Sequence, residues 1–159
     1  MRQLVPDLVE PFDPAALTDA ADRPAPTGRP WVMANMVMSA DGAYSVSGRS
    51  GALASPADKL LFHTLRASAD MILVAAETAR VERYRRPTTR AELVEGRLAR
   101  GQERVPRLAV VTRSARFPPD QPFLTGEGPD PVILHPAGAT DPDPLRCSGA
   151  GRGPAAVSR

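Results

Sequence analysis

The chain has 159 residues, with 20 basic and 18 acidic side chains and a net charge of +2. That length suits one domain of ordinary size, and so small a charge is unlike a nucleic-acid binder, whose affinity comes from clustered phosphate contacts. A single cysteine, Cys147, excludes an internal disulfide, and no apolar run approaches the roughly 20 residues of a membrane span.

Proline is spread unevenly, with six residues in 1–30, three in 31–117 and nine in 118–159. Because proline removes a backbone donor and breaks helices and central strands, regular structure is expected in the middle. Residues 1–30 read as an extension. Their opening stretch, MRQLVPDLVEPFDP, is acidic and proline-broken with no apolar signal core. With the lone cysteine, this points to a cytoplasmic protein.

Trp31-Val32-Met33-Ala34-Asn35-Met36-Val37-Met38 is a nearly continuous apolar run, the pattern of a strand buried on both faces. Ser39-Ala40-Asp41-Gly42 then breaks the chain, and Ser47-Gly48 marks a second turn. Asp41 stands at the mouth of that expected strand, where a carboxylate can bind an amino or hydroxyl group; Asp-Gly is also a common plain turn. Ser55-Pro56-Ala57-Asp58 combines a capping hydroxyl, a proline suited to the first helical position and an acidic first turn. Leu60, Leu61, Thr64, Leu65 and Ala69 give that helix one apolar face, with Arg66 near its end.

Met71–Ala76 is a second buried-strand candidate, followed by Glu77-Thr78-Ala79-Arg80. The run Arg80, Arg83, Arg85, Arg86 and Arg90 can hold a phosphate. Glu77, Glu82 and Glu92 interleave with it, so a solvated, ion-paired surface is the plainer reading. Thr89-Arg90-Ala91-Glu92 has capping-box spacing and predicts a helix of about ten or more residues. Arg107–Thr112 and Pro131–His135 read as two further strands. Apolar strands alternating with amphipathic helices predict an α/β fold, a mostly parallel sheet covered by helices on both faces. Ligands of such sheets sit beyond the C-terminal strand ends, which singles out the segments after Met38, Ala76 and Thr112. His63 and His135 have no partner at ligand spacing, so no metal site is expected. No G-x-G-x-x-G fingerprint is present either.

Three motifs in order carry a family resemblance: Ser39-x-Asp41-Gly42, Asp58 through Leu65-Arg66-Ala67, and Ala76-Glu77-Thr78-Ala79-Arg80. They resemble the riboflavin-biosynthesis pyrimidine reductase family, the C-terminal domain of bifunctional deaminase-reductases, with a dihydrofolate-reductase-like fold. The resemblance implies NADPH-dependent reduction of 5-amino-6-(5-phosphoribosylamino)uracil. By position it implies Asp41 as a catalytic residue, Ser50 and Arg66 as substrate contacts, and Thr78, Glu82, Thr112 and Ser114 as cofactor contacts. A cytoplasmic homodimer is implied, with a phosphorylated pyrimidine as substrate and neither nucleic acid nor membrane as partner.

The chain departs from the family pattern at Ala75 and Ala76, where a glycine pair is usual, and at Ala52 in the substrate loop. The resemblance runs to about residue 138, and the family's E-G-G cofactor loop has no counterpart. A partial, C-terminally truncated reductase domain over 31–138 and an irregular tail over 139–159 are therefore expected. The alternatives are a non-catalytic fragment that needs a partner chain, or a reductase of dihydrofolate or another pterin.

Overall fold

The computed structural model describes residues 8, 10–14, 16 and 28–137. The expected tail and most of the N-terminal extension lie outside the described residues. The chain divides into two compact units, Met1–Ser68 and Ala69–Arg159.

Helix α1, Pro56–Ser68, belongs to the first unit and starts as its sequence requires. The Ser55 hydroxyl accepts a hydrogen bond from the Asp58 amide at 3.1 Å, satisfying an amide that the helix itself leaves without a partner. Thr64 is buried on this helix and donates its hydroxyl to the Leu60 carbonyl at 2.9 Å, so a polar side chain is tolerated there.

The run 31–38 does not form the expected buried strand. It has no strand pairing, and Trp31, Val32, Met36 and Met38 are exposed. Apolarity favours burial, but a strand also needs a neighbouring backbone, and the ladder of this chain is built elsewhere.

The second unit holds a three-stranded parallel sheet in the order β1 (Met71–Ala75), β2 (Arg107–Val111), β3 (Val132–Leu134). Helices α2 (Ala76–Val81) and α3 (Ala91–Ala99) lie between β1 and β2, and the short α4 (Pro122–Thr125) lies between β2 and β3. The expected α/β class and parallel sheet are thus present. The register pairs Ile72 with Leu108, Val74 with Val110, and Val110 with Ile133, which sets these side chains on one face. There they form the core with Ala76 and Ala79 of α2, Phe123 and Leu124 of α4, and Ala115. Phe117 meets Phe123 edge to face at 5.2 Å. Leu108, Val110 and Phe123 are fully buried, and each contributes about 1.5–3 kcal/mol of transfer free energy. On the opposite face Ala109 and Val132 are buried, while Met71, Leu73, Ala75 and Val111 are exposed.

Helix α3 differs from the capping-box expectation. Its N-cap is Arg90, without a side-chain cap bond, and the helix runs for nine residues. Arg90 pairs instead with Glu92 at 2.7 Å. The Thr89 hydroxyl is buried with no partner among the described residues, because it stands one position too early to reach the first turn.

Two arginines secure the connections. Arg97 is fully buried and donates to the carbonyls of Glu103 and Ala69, both at 2.7 Å, joining α3 to the chain entering β1. Burial pulls its pKa below the ordinary arginine value, while the negative charge of Asp70 opposes that shift. Arg86 spans a longer separation. It donates to the carbonyls of Phe123 (3.1 Å), Leu124 (2.8 Å) and Gly128 (2.7 Å) and pairs with Asp130 at 2.9 Å. Arg86 is therefore no part of a solvated surface run; it is a largely buried staple on α4 and the turn after it.

Replacing Arg86 with Met is expected to cost about 2–3 kcal/mol of stability, since three carbonyls and a carboxylate lose their donor together. Arg86→Lys is expected to recover only part of the loss, because an ammonium cannot match the guanidinium fork. Urea denaturation of both variants measures this, and equal stability of Arg86→Met and the parent would show that the staple carries no weight.

Candidate functional site

The sequence-chosen residues fall on five local structures, and in the first unit Asp41 sits on a closed turn. The Gly42 amide donates to the Ser39 carbonyl at 2.9 Å, and Gly42 takes φ +88°, a conformation that favours glycine. The Ser39 hydroxyl bonds Asp41 Oδ1 and lies 3.0 Å from the Ala43 carbonyl oxygen. The Ala43 amide donates to the same carboxylate oxygen at 3.3 Å. The Ser-x-Asp-Gly pattern is thus a self-stapled turn. It leaves Asp41 exposed, with Oδ2 outside this network.

Ser50 follows a two-residue hairpin. Val46 and Arg49 exchange backbone hydrogen bonds of 2.9 and 3.1 Å, and Ser47 and Gly48 both have positive φ, as a tight hairpin turn of this hand demands. Ser50 is half-buried, and its carbonyl accepts the Leu53 amide at 2.9 Å. Arg66 lies in the last turn of α1, half-buried, with its guanidinium 4.8 Å from the centre of the Phe62 ring. At that distance a cation is attracted to the ring face.

In the second unit, the ends of β1 and β2 are level because Ala75 pairs with Val111. Helix α2 starts at once after Ala75 and places Thr78 in its first turn, exposed. Ala75 is extended (φ −73°, ψ 146°), so the alanine that replaces a family glycine meets no backbone penalty here. After β2, the Thr112 hydroxyl accepts the amides of Ser114 (3.3 Å) and Ala115 (3.2 Å) and is itself buried. Ser114 is exposed on that turn. Arg80 ties the two strand ends together, pairing with Glu77 and lying 5.9 Å from the Phe117 ring. Glu82 stands apart from this group as the C-cap of α2, a full helix length from the strand end.

Thr78, Thr112 and Ser114 are therefore brought to one edge of the parallel sheet, whereas Glu82 is not. Two further residues at this edge escaped sequence reading: Arg113 and Arg116, exposed on either side of Ser114. Their signal was the pattern Thr-Arg-Ser-x-Arg straight after an apolar strand. Exposed hydroxyls and guanidinia at neighbouring strand ends suit an anionic ligand. Among the described residues there is no group of three or more His, Cys, Asp and Glu that could hold a metal ion. Likewise, no helix among them is long and apolar enough to cross a membrane.

The sequence profile of the RibD C-terminal domain matches residues 30–141, which takes in every site residue above. The chain belongs to the RibD C-terminal domain family. Its fold is similar to the crystal structure of a pyrimidine reductase-like protein from Corynebacterium diphtheriae. That likeness has a TM-score of 0.62 at 24% identity and covers 77% of this chain and 53% of that one. The chain thus spans about half the length of the solved structure it matches. No curated protein matches it. The α/β class with a parallel sheet expected from the alternation of apolar strands and helices is that of this chain.

Asp41 offers a direct check on the first turn. The Ser39 hydroxyl, and after it the Ala43 amide, favour the charged carboxylate and hold its pKa below the ordinary value of 3.8. A depressed folded value means that the turn gains stability above the unfolded pKa and loses it as pH falls through the folded one. Carboxyl NMR titration is expected to give a midpoint below 3.8 for Asp41, returning toward it in Ser39→Ala. An unchanged midpoint in Ser39→Ala would remove the serine from this role.

Proposed function

We propose that this chain acts in the NADPH-dependent reduction of 5-amino-6-(5-phosphoribosylamino)uracil, opening the ribose ring to a ribityl chain during riboflavin biosynthesis. The observation that carries this reading is the family match over 30–141, which includes the Ser39–Gly42 turn, the Leu65-Arg66-Ala67 helix end and the start of α2 in one collinear run. The sheet edge supports a cofactor of this kind. Thr78, Ser114, Arg113 and Arg116 are exposed there, and hydroxyl and guanidinium donors fit the phosphates of NADPH.

When bound, NADPH supplies the hydride. The chain's own residues bind and orient. Thr78 and Ser114 donate hydrogen bonds to phosphate or ribose oxygens, and Arg113 and Arg116 offset phosphate charge. Thr112 acts through the turn it closes, since its hydroxyl already accepts two amides. Arg66, steadied by the Phe62 ring, presents a planar fork to the substrate phosphate, and the Ser50 hydroxyl binds the substrate beside the hairpin. Asp41 Oδ2 accepts a hydrogen bond from a substrate amino or hydroxyl group at the catalytic centre. Glu82 is left with the weakest claim to a cofactor contact, and the cytoplasm suits a chain with one free thiol.

The test is NADPH titration followed by nicotinamide fluorescence. Saturable binding is expected, weakened about tenfold in Thr78→Ala by the loss of one hydrogen bond. Arg66→Ala is expected to leave NADPH affinity unchanged while raising the substrate KM at least about tenfold, as loss of a charge-assisted pair implies. Absence of binding at millimolar NADPH would overturn the reading. NADPH oxidation with dihydrofolate but not with the phosphorylated pyrimidine would move it to a pterin reductase.

A further inference from the structure

Helix α1 carries its basic side chains on one stripe. Lys59, His63 and Arg66 recur at spacings of four and three, which makes them neighbours along the helix surface. Beyond Asp58 in the first turn, the helix has no acidic residue. The half-buried ring of Phe62 is common to two members of the stripe. The Arg66 guanidinium lies 4.8 Å from its centre, and the His63 ring meets it edge to face, 5.8 Å between centres and inclined at 71°. Position 66 projects between positions 62 and 63, one turn further on, because successive residues are about 100° apart around a helix. Helical side chains tilt toward the N-terminus, so Arg66 folds back over Phe62 and beside His63. These contacts lie within one helix and need nothing from any other element.

We propose that His63 is a second contact for the phosphate of the substrate, set beside Arg66 by the ring they share. The proposal rests on the reading that Arg66 receives that phosphate. A phosphate monoester presents three terminal oxygens, of which a guanidinium fork takes two. An imidazole offers one N–H donor when neutral and two when charged, so it can take the third in either state. The Phe62 ring holds both side chains before the ligand arrives. That matters most for arginine, which otherwise has many rotamers to lose on binding. His63 then separates the phosphorylated substrate from its dephosphorylated form.

Two plainer duties account for His63 less well. A cation in the last turn complements the carbonyl end of a helix, but that effect fades within the turn, and of the two residues Arg66 alone lies there. Metal binding fails too, since no group of three or more possible ligands exists among the described residues. His63 is exposed among them, with its ring anchored on one side and open to a ligand on the other.

The first experiment is imidazole NMR on the full chain carrying His135→Gln, which leaves His63 as its one histidine. Millimolar ribose 5-phosphate is expected to shift the ring signals saturably, and ribose at the same concentration to leave them in place. The second is steady-state NADPH oxidation with the phosphorylated pyrimidine and with its dephosphorylated form. His63→Ala is expected to lower the preference for the phosphorylated substrate about tenfold, through KM, as loss of a bond to a charged group implies. Phe62→Leu is expected to lower that preference about two- to fivefold, and Phe62→Tyr to keep the parent's value, since a phenol retains the ring. Ring signals indifferent to ribose 5-phosphate would overturn the proposal. So would a His63→Ala chain that loses both substrates alike, the mark of a merely structural ring contact. If Arg66→Ala raises KM while His63→Ala leaves the preference unchanged, the proposal falls and the reading of Arg66 stands. If Arg66→Ala leaves KM unchanged, both fall.

Discussion

The parallel pairing of β1 with β2 is the constraint on which the second unit depends. Leu108 and Val110 are fully buried on the face that also holds Ile72 and Val74, so a slip of β1 by one residue would turn Ile72 and Val74 toward the opposite side. The burial of two aliphatic side chains on β2 therefore fixes more than a core. It levels Ala75 with Val111, so that whatever follows each strand emerges side by side. The first turn of α2 and the turn closed by Thr112 meet at that edge for this reason. Arg97 and Arg86 then hold the connections, one at the entry to β1 and the other around α4.

Much of this was legible in the amino-acid sequence, and the reason differs by element. MILVA and RLAVV are short and mostly apolar, and each finds a parallel neighbour within the same unit. The start of α1 was legible because a capping serine and a following proline act locally, through bonds that no distant residue can alter. The segment 31–38 was misread because hydrophobicity signals a tendency to be covered and says nothing about which backbone completes the ladder. Thr89 was misread for a geometric reason: a cap works only from the residue just before the first helical one, and the chain starts α3 after Arg90.

Charged residues were the least legible. Arginine in a run with glutamates reads as a solvated face, and Arg80 and Arg90 do pair with Glu77 and Glu92. Arg86 belongs to the same run, yet its partners lie 37 or more residues away, at Phe123, Leu124, Gly128 and Asp130. Nothing local distinguishes it. The site shows the same division. Asp41 was found through a pattern whose residues bond one another, so the motif and the turn are one object. Ser114 was found through its place after a strand, whereas Arg113 and Arg116 beside it become notable only once the ends of β1 and β2 are seen side by side.

The turn after β2 separates two duties within three residues. Thr112 is buried and holds two amides through its hydroxyl, while Ser114, two positions on, is exposed. The first residue holds the loop through two amides from the buried side, and the second accepts only the Arg116 amide, at 3.5 Å and at the surface. Substitution at 114 therefore removes one long surface bond from the loop, whereas substitution at 112 removes both of its buried ones. On the function proposed above, ligand contacts at this strand end can change at position 114 at less cost to the loop than at position 112.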